Sequence, residues 1–358
     1  MIRVLIVDDS QVTRDLLTFI LSSDPAIQVT GTAKDGKEAI QAVRDLKPDI
    51  VLMDLIMPVM GGLEATRSIM ETTPTPIVIV SAVWSASEAK KSFQAMEAGA
   101  LAALPKPVGI SHPHYANLTK ELIQTVKLMS EVKVFRKRPQ AEKTAVLPAD
   151  VIFKQNAAMK KNLKVVVIGA STGGPQAVKT VLSGLPKDFP APVLIVQHIA
   201  AGFIQHFADW LAATTGLPVN LAAPGEYPLP GHAYLAPDAY QMGLSADGRI
   251  VLLPGSPADT LCPSVAFLFR SIAEVCPQNA VAVLLTGMGK DGARELKLLR
   301  DKGAVTIAQD RESSVIYGMP GEAVALAAAS FVLPPEKIAE MLTGLVQAEK
   351  QQSMTRSL

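Results

Sequence analysis

Short, largely continuous apolar runs recur along this chain, and they constrain its fold more than any other feature. In the first third they are Val4–Val7, Ile27–Thr30, Ile50–Met53, Ile77–Val80 and Ala100–Leu104. Between them lie stretches with helical periodicity, among them Val12–Leu21, Lys37–Leu46, Leu63–Met70 and Glu88–Ala98. A strand that is apolar on both sides has to be covered on both faces, so this alternation predicts a parallel sheet with helices on either side. The pattern resumes at Val165–Ile168, Val193–Gln197 and Val281–Leu285. The predicted fold class is α/β, with two doubly wound parallel-sheet domains. In such sheets the strand carboxyl ends share one edge, which is where ligands bind.

The 358 residues suit two domains at about 100–200 residues each. Residues 127–162 lose the apolar period and carry the basic cluster Arg136-Lys137-Arg138-Pro139. They read as an interdomain linker between a first domain, 1–126, and a second, 163–350. Solvation is the simplest role for that cluster. The formal net charge of +1, from 34 basic and 33 acidic residues, gives no global field for nucleic acid or anionic membrane. Cys262 and Cys276 are too few for a disulfide framework, which points to a reduced, cytoplasmic protein. Met1-Ile2-Arg3-Val4 runs directly into a strand that meets Asp8 and Asp9, unlike a signal peptide. The apolar runs are also far below the roughly 20 residues needed to span a bilayer, so no membrane insertion is expected.

Reactive residue types collect where the strands end. Asp8 and Asp9 follow the first strand and Asp54 the third. Three converging carboxylates repel one another unless a hard cation joins them, and Mg²⁺ suits an oxygen-only site of this kind. One carboxylate could then attack a phosphoryl group. Ser81 ends the fourth strand and Lys106 follows the fifth, so a hydroxyl and an ammonium would reach the new phosphate. A solvated turn or helix N-cap explains an Asp-Asp pair alone, but not four strand ends at once.

Residues 1 to about 125 resemble a two-component receiver domain, through Val7-Asp8-Asp9-Ser10, Met53–Pro58, Val80-Ser81-Ala82 and Lys106-Pro107. The resemblance implies a flavodoxin-like fold, with Asp54 as phosphoacceptor, Asp8 and Asp9 holding Mg²⁺ with it, and Ser81 and Lys106 reading the phosphate. Val59-Met60-Gly61-Gly62 departs from the usual Asp-Gly turn, and Ala103 stands where receivers often carry an aromatic switch. Signalling would then run through Ser81 and backbone shifts.

In the second domain, Val165–Ile168 leads at once into Gly169-Ala170-Ser171-Thr172-Gly173-Gly174-Pro175. A dinucleotide fingerprint needs Gly where Ser171 stands, and a P-loop needs Lys where Pro175 stands. What remains is a nucleophile turn with Ser171 at the strand-to-helix corner, where backbone N–H groups can hold an oxyanion. A serine nucleophile needs a base. His198 closes the run Val193–Gln197 and so reaches the same edge, whereas His206 falls on a helix and His232 at a turn suited to a structural role. Asp291, in the glycine-rich turn after Val281–Leu285, could fix the histidine tautomer. Alone it would read as an N-cap. The chain order Ser, His, Asp disfavours an α/β-hydrolase, which places its histidine last.

Residues from about 163 to 345 resemble the catalytic domain of the chemotaxis protein-glutamate methylesterases. The segments are Gly169–Gly174, Gln197-His198, Pro230–Pro237, Thr286–Gly292, Ile307–Asp310 and Tyr317–Pro320. The resemblance implies a Rossmann-like domain with the triad Ser171, His198 and Asp291, and backbone N–H groups of Thr172 and Met288 as the oxyanion site. It implies hydrolysis of γ-glutamyl methyl esters on methyl-accepting chemoreceptors, and deamidation of receptor glutamines, with no cofactor for that half. A chemotaxis histidine kinase is the implied phosphodonor. The tandem arrangement implies a receiver that blocks the catalytic edge until it is phosphorylated. Rival readings are a DNA-binding response regulator, disfavoured by a near-neutral α/β second half, and a receiver-controlled binding protein or esterase for another protein substrate.

Overall fold

The computed structural model describes residues 1–81, 86–109, 112, 115–134, 164–256, 259 and 261–356, with the backbone alone for 86, 87 and 346–356. The Arg136-Lys137-Arg138 cluster, Ala82 and Leu163 lie outside the described residues. The chain divides into two compact units, Met1–Glu142 and Lys143–Leu358.

In the first unit, strands β1 (Ile2–Val7), β2 (Ile27–Ala33), β3 (Ile50–Met53), β4 (Ile77–Ser81) and β5 (Ala102–Pro105) form one parallel sheet in the order β2-β1-β3-β4-β5. Every residue of β3 and β4 is buried, as a continuous apolar strand between two helical layers requires. The helices are α1 (Gln11–Ser22), α2 (Gly36–Leu46), α3 (Gly62–Thr72), α4 (Ala86–Ala98) and α5 (Tyr115–Ser130). Ser10 caps α1 through the Thr13 N–H, and Asp35 caps α2 through Lys37 and Glu38, the expected use of short oxygen side chains at helix starts. Helix α5 continues four residues past the expected boundary at 126. Its last turn buries Met129, and Lys127 pairs with Asp24 at 2.5 Å.

The strand order reverses at β1, so the ends of β1 and β3 flank the crevice where doubly wound sheets bind ligands. Helix α3 starts against that crevice: a Cβ on Gly62 would lie 1.9 Å from the Asp54 carbonyl oxygen. Only a residue without a side chain fits there.

The second unit holds a seven-stranded sheet in the order β14-β13-β12-β6-β7-β9-β8, every pairing of which is parallel. Its strands are β6 (Val165–Ala170), β7 (Val193–Gln197), β8 (Val219–Leu221), β9 (Ala233–Leu235), β12 (Ala280–Leu284), β13 (Val305–Gln309) and β14 (Phe331–Leu333). An antiparallel hairpin, β10 (Tyr240–Leu244) with β11 (Ile250–Pro254), stands apart from it. Helices α6 (Gly174–Ser183), α7 (Ile204–Thr215), α8 (Val265–Val275), α9 (Ala293–Asp301), α10 (Met319–Ala325) and α11 (Pro335–Arg356) complete the unit. One face of the sheet packs with α8 and the hairpin into a core that includes Leu194, Tyr234, Phe269 and Leu284. Strand β6 lies between β7 and β12, so the chain reverses direction across the sheet at β6. No described helix is long and apolar enough to cross a membrane.

Gly62→Ala is expected to cost about 1–3 kcal/mol, the usual range for overpacking, read as a lowered urea midpoint for the first unit. An unchanged midpoint would mean that α3 does not start against Asp54.

Candidate phosphoacceptor and esterase sites

At the carboxyl edge of the first sheet, carboxylate oxygens of Asp8, Asp9 and Asp54 lie within 4.8 Å of one another. Asp8 and Asp54 are buried and Asp9 is exposed. Lys106 Nζ pairs with Asp8 Oδ2 at 2.7 Å and with Asp54 Oδ2 at 2.9 Å. Asp54 Oδ1 accepts the Leu55 N–H at 2.8 Å. Ser81 is buried at the end of β4, and its carbonyl accepts the Lys106 N–H at 3.0 Å, which ties the serine's strand to the lysine's loop. The side chains of Asp8, Asp9, Asp54 and Lys106 therefore converge, with Ser81 at the neighbouring strand end. Between β3 and α3, the Met60 N–H closes on the Pro58 carbonyl at 2.7 Å, across Val59 at φ 65°. A three-residue turn thus replaces the Asp-Gly turn.

Burial pushes the Asp54 carboxyl up; Lys106 pulls it down, Asp8 opposes that, and the net pKa is raised. Burial would by itself lower the Lys106 pKa, but its bonds to Asp8 and Asp54 outweigh it and hold the ammonium charged. The donor set is all oxygen, three carboxylates around one point, and it fits a small hard cation such as Mg²⁺.

At the carboxyl edge of the second sheet, Ala170 of β6 pairs in register with Gln197 of β7. Ser171 and His198 are the next residue on each strand, and the His198 N–H donates to the Ala170 carbonyl at 2.9 Å. His198 Nε2 lies 2.9 Å from Asp291 Oδ2, an atom that also accepts the Val265 N–H at 2.7 Å. Asp291 Oδ1 accepts the Ala266 N–H at 3.0 Å and the Ser264 hydroxyl at 3.1 Å. The carboxylate thus sits at the start of α8, where backbone donors and the helix dipole favour negative charge. Burial works to raise its pKa, but the His198 and α8 amide bonds prevail and hold it below the usual range. An ionised Asp291 can only accept, so His198 donates to it through Nε2. Among the described residues, Ser171 Oγ makes no hydrogen bond.

The other two histidines beyond Ser171 are placed elsewhere. His206 lies on α7, and His232 Nδ1 pairs with the Pro230 carbonyl at 3.0 Å while its ring stacks near Tyr234.

The Gly287-Met288-Gly289 loop after β12 reaches the serine closely: a Cβ on Gly287 would lie 2.6 Å from Ser171 Cβ. The Gly287 carbonyl accepts N–H groups of Gly318 at 3.2 Å and Met319 at 2.9 Å. Since a peptide is planar, this sets the direction of the Met288 N–H. Among the described residues, neither Thr172 N–H nor Met288 N–H donates to a protein acceptor. Beneath them, Thr286 donates its N–H to Gln309 Oε1 at 2.7 Å, accepts the Ser171 N–H at its carbonyl at 3.0 Å, and lies with Oγ1 2.9 Å from the Thr172 carbonyl.

Residue-by-residue reading of the sequence missed Gln197, Thr286, Gln309 and Ser264. The signal for the first three was a polar side chain ending or directly following an apolar strand. Ser264 gave none, because its partner Asp291 is distant in the chain.

The two buried carboxylates carry opposite pH signs. Asp54 has a raised folded-state pKa, so its contribution to stability is full below the unfolded value, about 4, and is lost as pH rises through the folded value. Asp291 has a lowered one, so its contribution is present above about 4 and is lost as pH falls through the folded value. Asp54→Asn should therefore raise the first unit's urea midpoint at neutral pH, and Asp291→Asn should lower the second unit's. Both differences should shrink near pH 3, and a difference of the same size at both pH values would contradict the assignment.

Comparison with known proteins identifies both domains. Residues 166–342 match the CheB methylesterase family, and residues 4–141 match the response regulator receiver domain. Protein-glutamate methylesterase/protein-glutamine glutaminase 1 of Syntrophus aciditrophicus is 52% identical over 345 residues, covering 96% of this chain and 98% of that protein. Protein-glutamate methylesterase/protein-glutamine glutaminase 4 of Geobacter metallireducens is 53% identical over 346 residues, covering 96% and 99%. The crystal structure of the Thermotoga maritima CheB methylesterase catalytic domain shares 39% identity, covering 51% of this chain and 98% of that one, with a TM-score of 0.49. The chain belongs to the protein-glutamate methylesterase/protein-glutamine glutaminase family, whose methylesterase domain here follows a response-regulator receiver domain.

Proposed function

We propose that this protein hydrolyses γ-glutamyl methyl esters on methyl-accepting chemoreceptors in the cytoplasm, releasing methanol, and deamidates receptor glutamines. Phosphorylation of Asp54 by a chemotaxis histidine kinase raises that activity. The observation that carries the reading is the His198–Asp291 pair at 2.9 Å, with its carboxylate fixed by α8 and its imidazole on the strand end beside Ser171.

His198 Nδ1 takes the Ser171 hydroxyl proton, and Oγ attacks the ester carbonyl. Thr172 and Met288 N–H groups, free of protein acceptors among the described residues, stabilise the oxyanion. The imidazolium, stabilised by Asp291, returns the proton to the departing methoxide. Water then attacks the acyl-enzyme with the roles reversed. A glutamine side chain follows the same path with ammonia as leaving group. None of these steps calls for a metal or organic cofactor.

In the receiver, Asp54 is the phosphoryl acceptor and Asp8, Asp9 and Asp54 would hold Mg²⁺, which supplies charge neutralisation for phosphoryl transfer. Lys106 is positioned to exchange its bond with Asp54 for one with the phosphate, and Ser81, on the adjacent strand end, to sense it. A tenfold change in the active population takes about 1.4 kcal/mol, within the reach of a few such bonds.

Methanol release from methylated receptor membranes tests both halves. A small phosphodonor with Mg²⁺ should stimulate it, Asp54→Asn should abolish the stimulation while leaving basal release, and Ser171→Ala should lower release by about four to six orders of magnitude. Undiminished release by Ser171→Ala would remove the serine mechanism. No release by a chain that is still phosphorylated would leave a receiver-controlled binding protein or an esterase for another substrate.

A further inference from the structure

We propose that Gln197 is a positioning residue for the esterase, aiming the Thr172 N–H at the oxyanion and locking the nucleophile's strand end to the base's. The proposal rests on the assignment of Ser171 and Thr172 above. Gln197 is the last residue of β7 and is 1% exposed. Its side-chain amide Nε2 donates to the Ser171 carbonyl at 2.7 Å and to the His198 carbonyl at 2.9 Å. One NH₂ group therefore bridges the backbones of the nucleophile and the base.

The Ser171 carbonyl and the Thr172 N–H belong to the same planar peptide and point in opposite directions. Fixing the first fixes the second. The Ser171 carbonyl is held twice, by Gln197 Nε2 and by the Gly174 N–H at 2.8 Å. This repeats the arrangement at Met288, whose peptide is anchored through the Gly287 carbonyl by two N–H groups. Both oxyanion donors are thus oriented from behind, by hydrogen bonds to the carbonyl of their own peptide. His198 is held on both sides too, its N–H on Ala170 and its carbonyl on Gln197.

Gln197 Oε1 is buried and has no hydrogen-bond partner, and an unpaired buried acceptor is unfavourable. An apolar side chain of the same length would avoid that cost but would lose both donors. The two donors are what the amide contributes, and both go to the reacting residues' backbones.

The test uses the full chain, with Gln197→Met, which keeps length and removes both donors, and Gln197→Glu, which replaces them with acceptors. Methanol release, thermal stability and affinity for an alkyl boronic acid, a reversible tetrahedral mimic on the serine, are measured together, with Ser171→Ala as control. For Gln197→Met, kcat should fall about 10- to 100-fold, less than the ~10²–10³-fold cost of deleting an oxyanion donor. KM should change less than about threefold, boronate affinity should fall in parallel with kcat, and melting should fall by only a few degrees, the cost of two buried hydrogen bonds. Gln197→Glu should lose more. Full kcat in Gln197→Met alongside an inactive Ser171→Ala would overturn this proposal alone, as would a kcat loss with unchanged boronate affinity. An active Ser171→Ala would overturn the underlying mechanism as well. Should neither variant fold, the wild-type protein still decides: its Gln197 side-chain NH₂ resonances should be protected from exchange and shift when the boronate binds, and unprotected or unmoved resonances would overturn the proposal.

Discussion

In a parallel sheet each strand leaves the core on the same side, so residues that follow different strands meet even when they lie far apart in the chain. Both reactive sites are consequences of this geometry. In the first unit it gathers Asp8, Asp54, Ser81 and Lys106 from the ends of β1, β3, β4 and β5. In the second it gathers Ser171, His198 and Asp291 from the ends of β6, β7 and β12, the last pair separated by 93 positions. Each set lies where its sheet changes direction. The apolar runs that build the sheets therefore determine the chemistry as much as the polar residues that perform it.

The two units treat a buried carboxylate in opposite ways. Around Asp54, burial and Asp8 outweigh the pull of Lys106, and the carboxyl is raised. Its ionised form is the less favoured one there, and Lys106 is the cation that offsets it. Around Asp291, two backbone amides, a serine hydroxyl and an imidazole outweigh burial, and the carboxyl is lowered. That charge is held still, as the proposed role of orienting His198 requires.

Beneath the esterase edge a buried layer of polar side chains, Gln197, Thr286 and Gln309, holds the backbone of the nucleophile turn. All three are at most 1% exposed, and all bond to main-chain groups. Backbone N–H groups act as donors to the reacting oxygen only if their peptide planes are fixed in advance. This layer ties those peptide planes to the sheet by side-chain hydrogen bonds.

Much of this was legible in the chain itself. Continuous apolar strands alternating with helical periods announced two parallel α/β sheets, and each reactive residue stood directly after a strand or within the turn that followed it. Strand ends are local, so Asp8, Asp54, Ser171 and His198 could be read from their immediate neighbours. Asp291 could be read as well, because the loop after β12 has to emerge at the same edge. What only the tertiary structure decided is how these residues are held. The antiparallel β10–β11 hairpin, the grip of Ser264 and α8 on Asp291 across 27 positions, and the bridge made by Gln197 across 26 positions to Ser171 leave no periodic or local trace. Such contacts depend on the register of packed elements and not on spacing along the chain, and register is set only when the core closes.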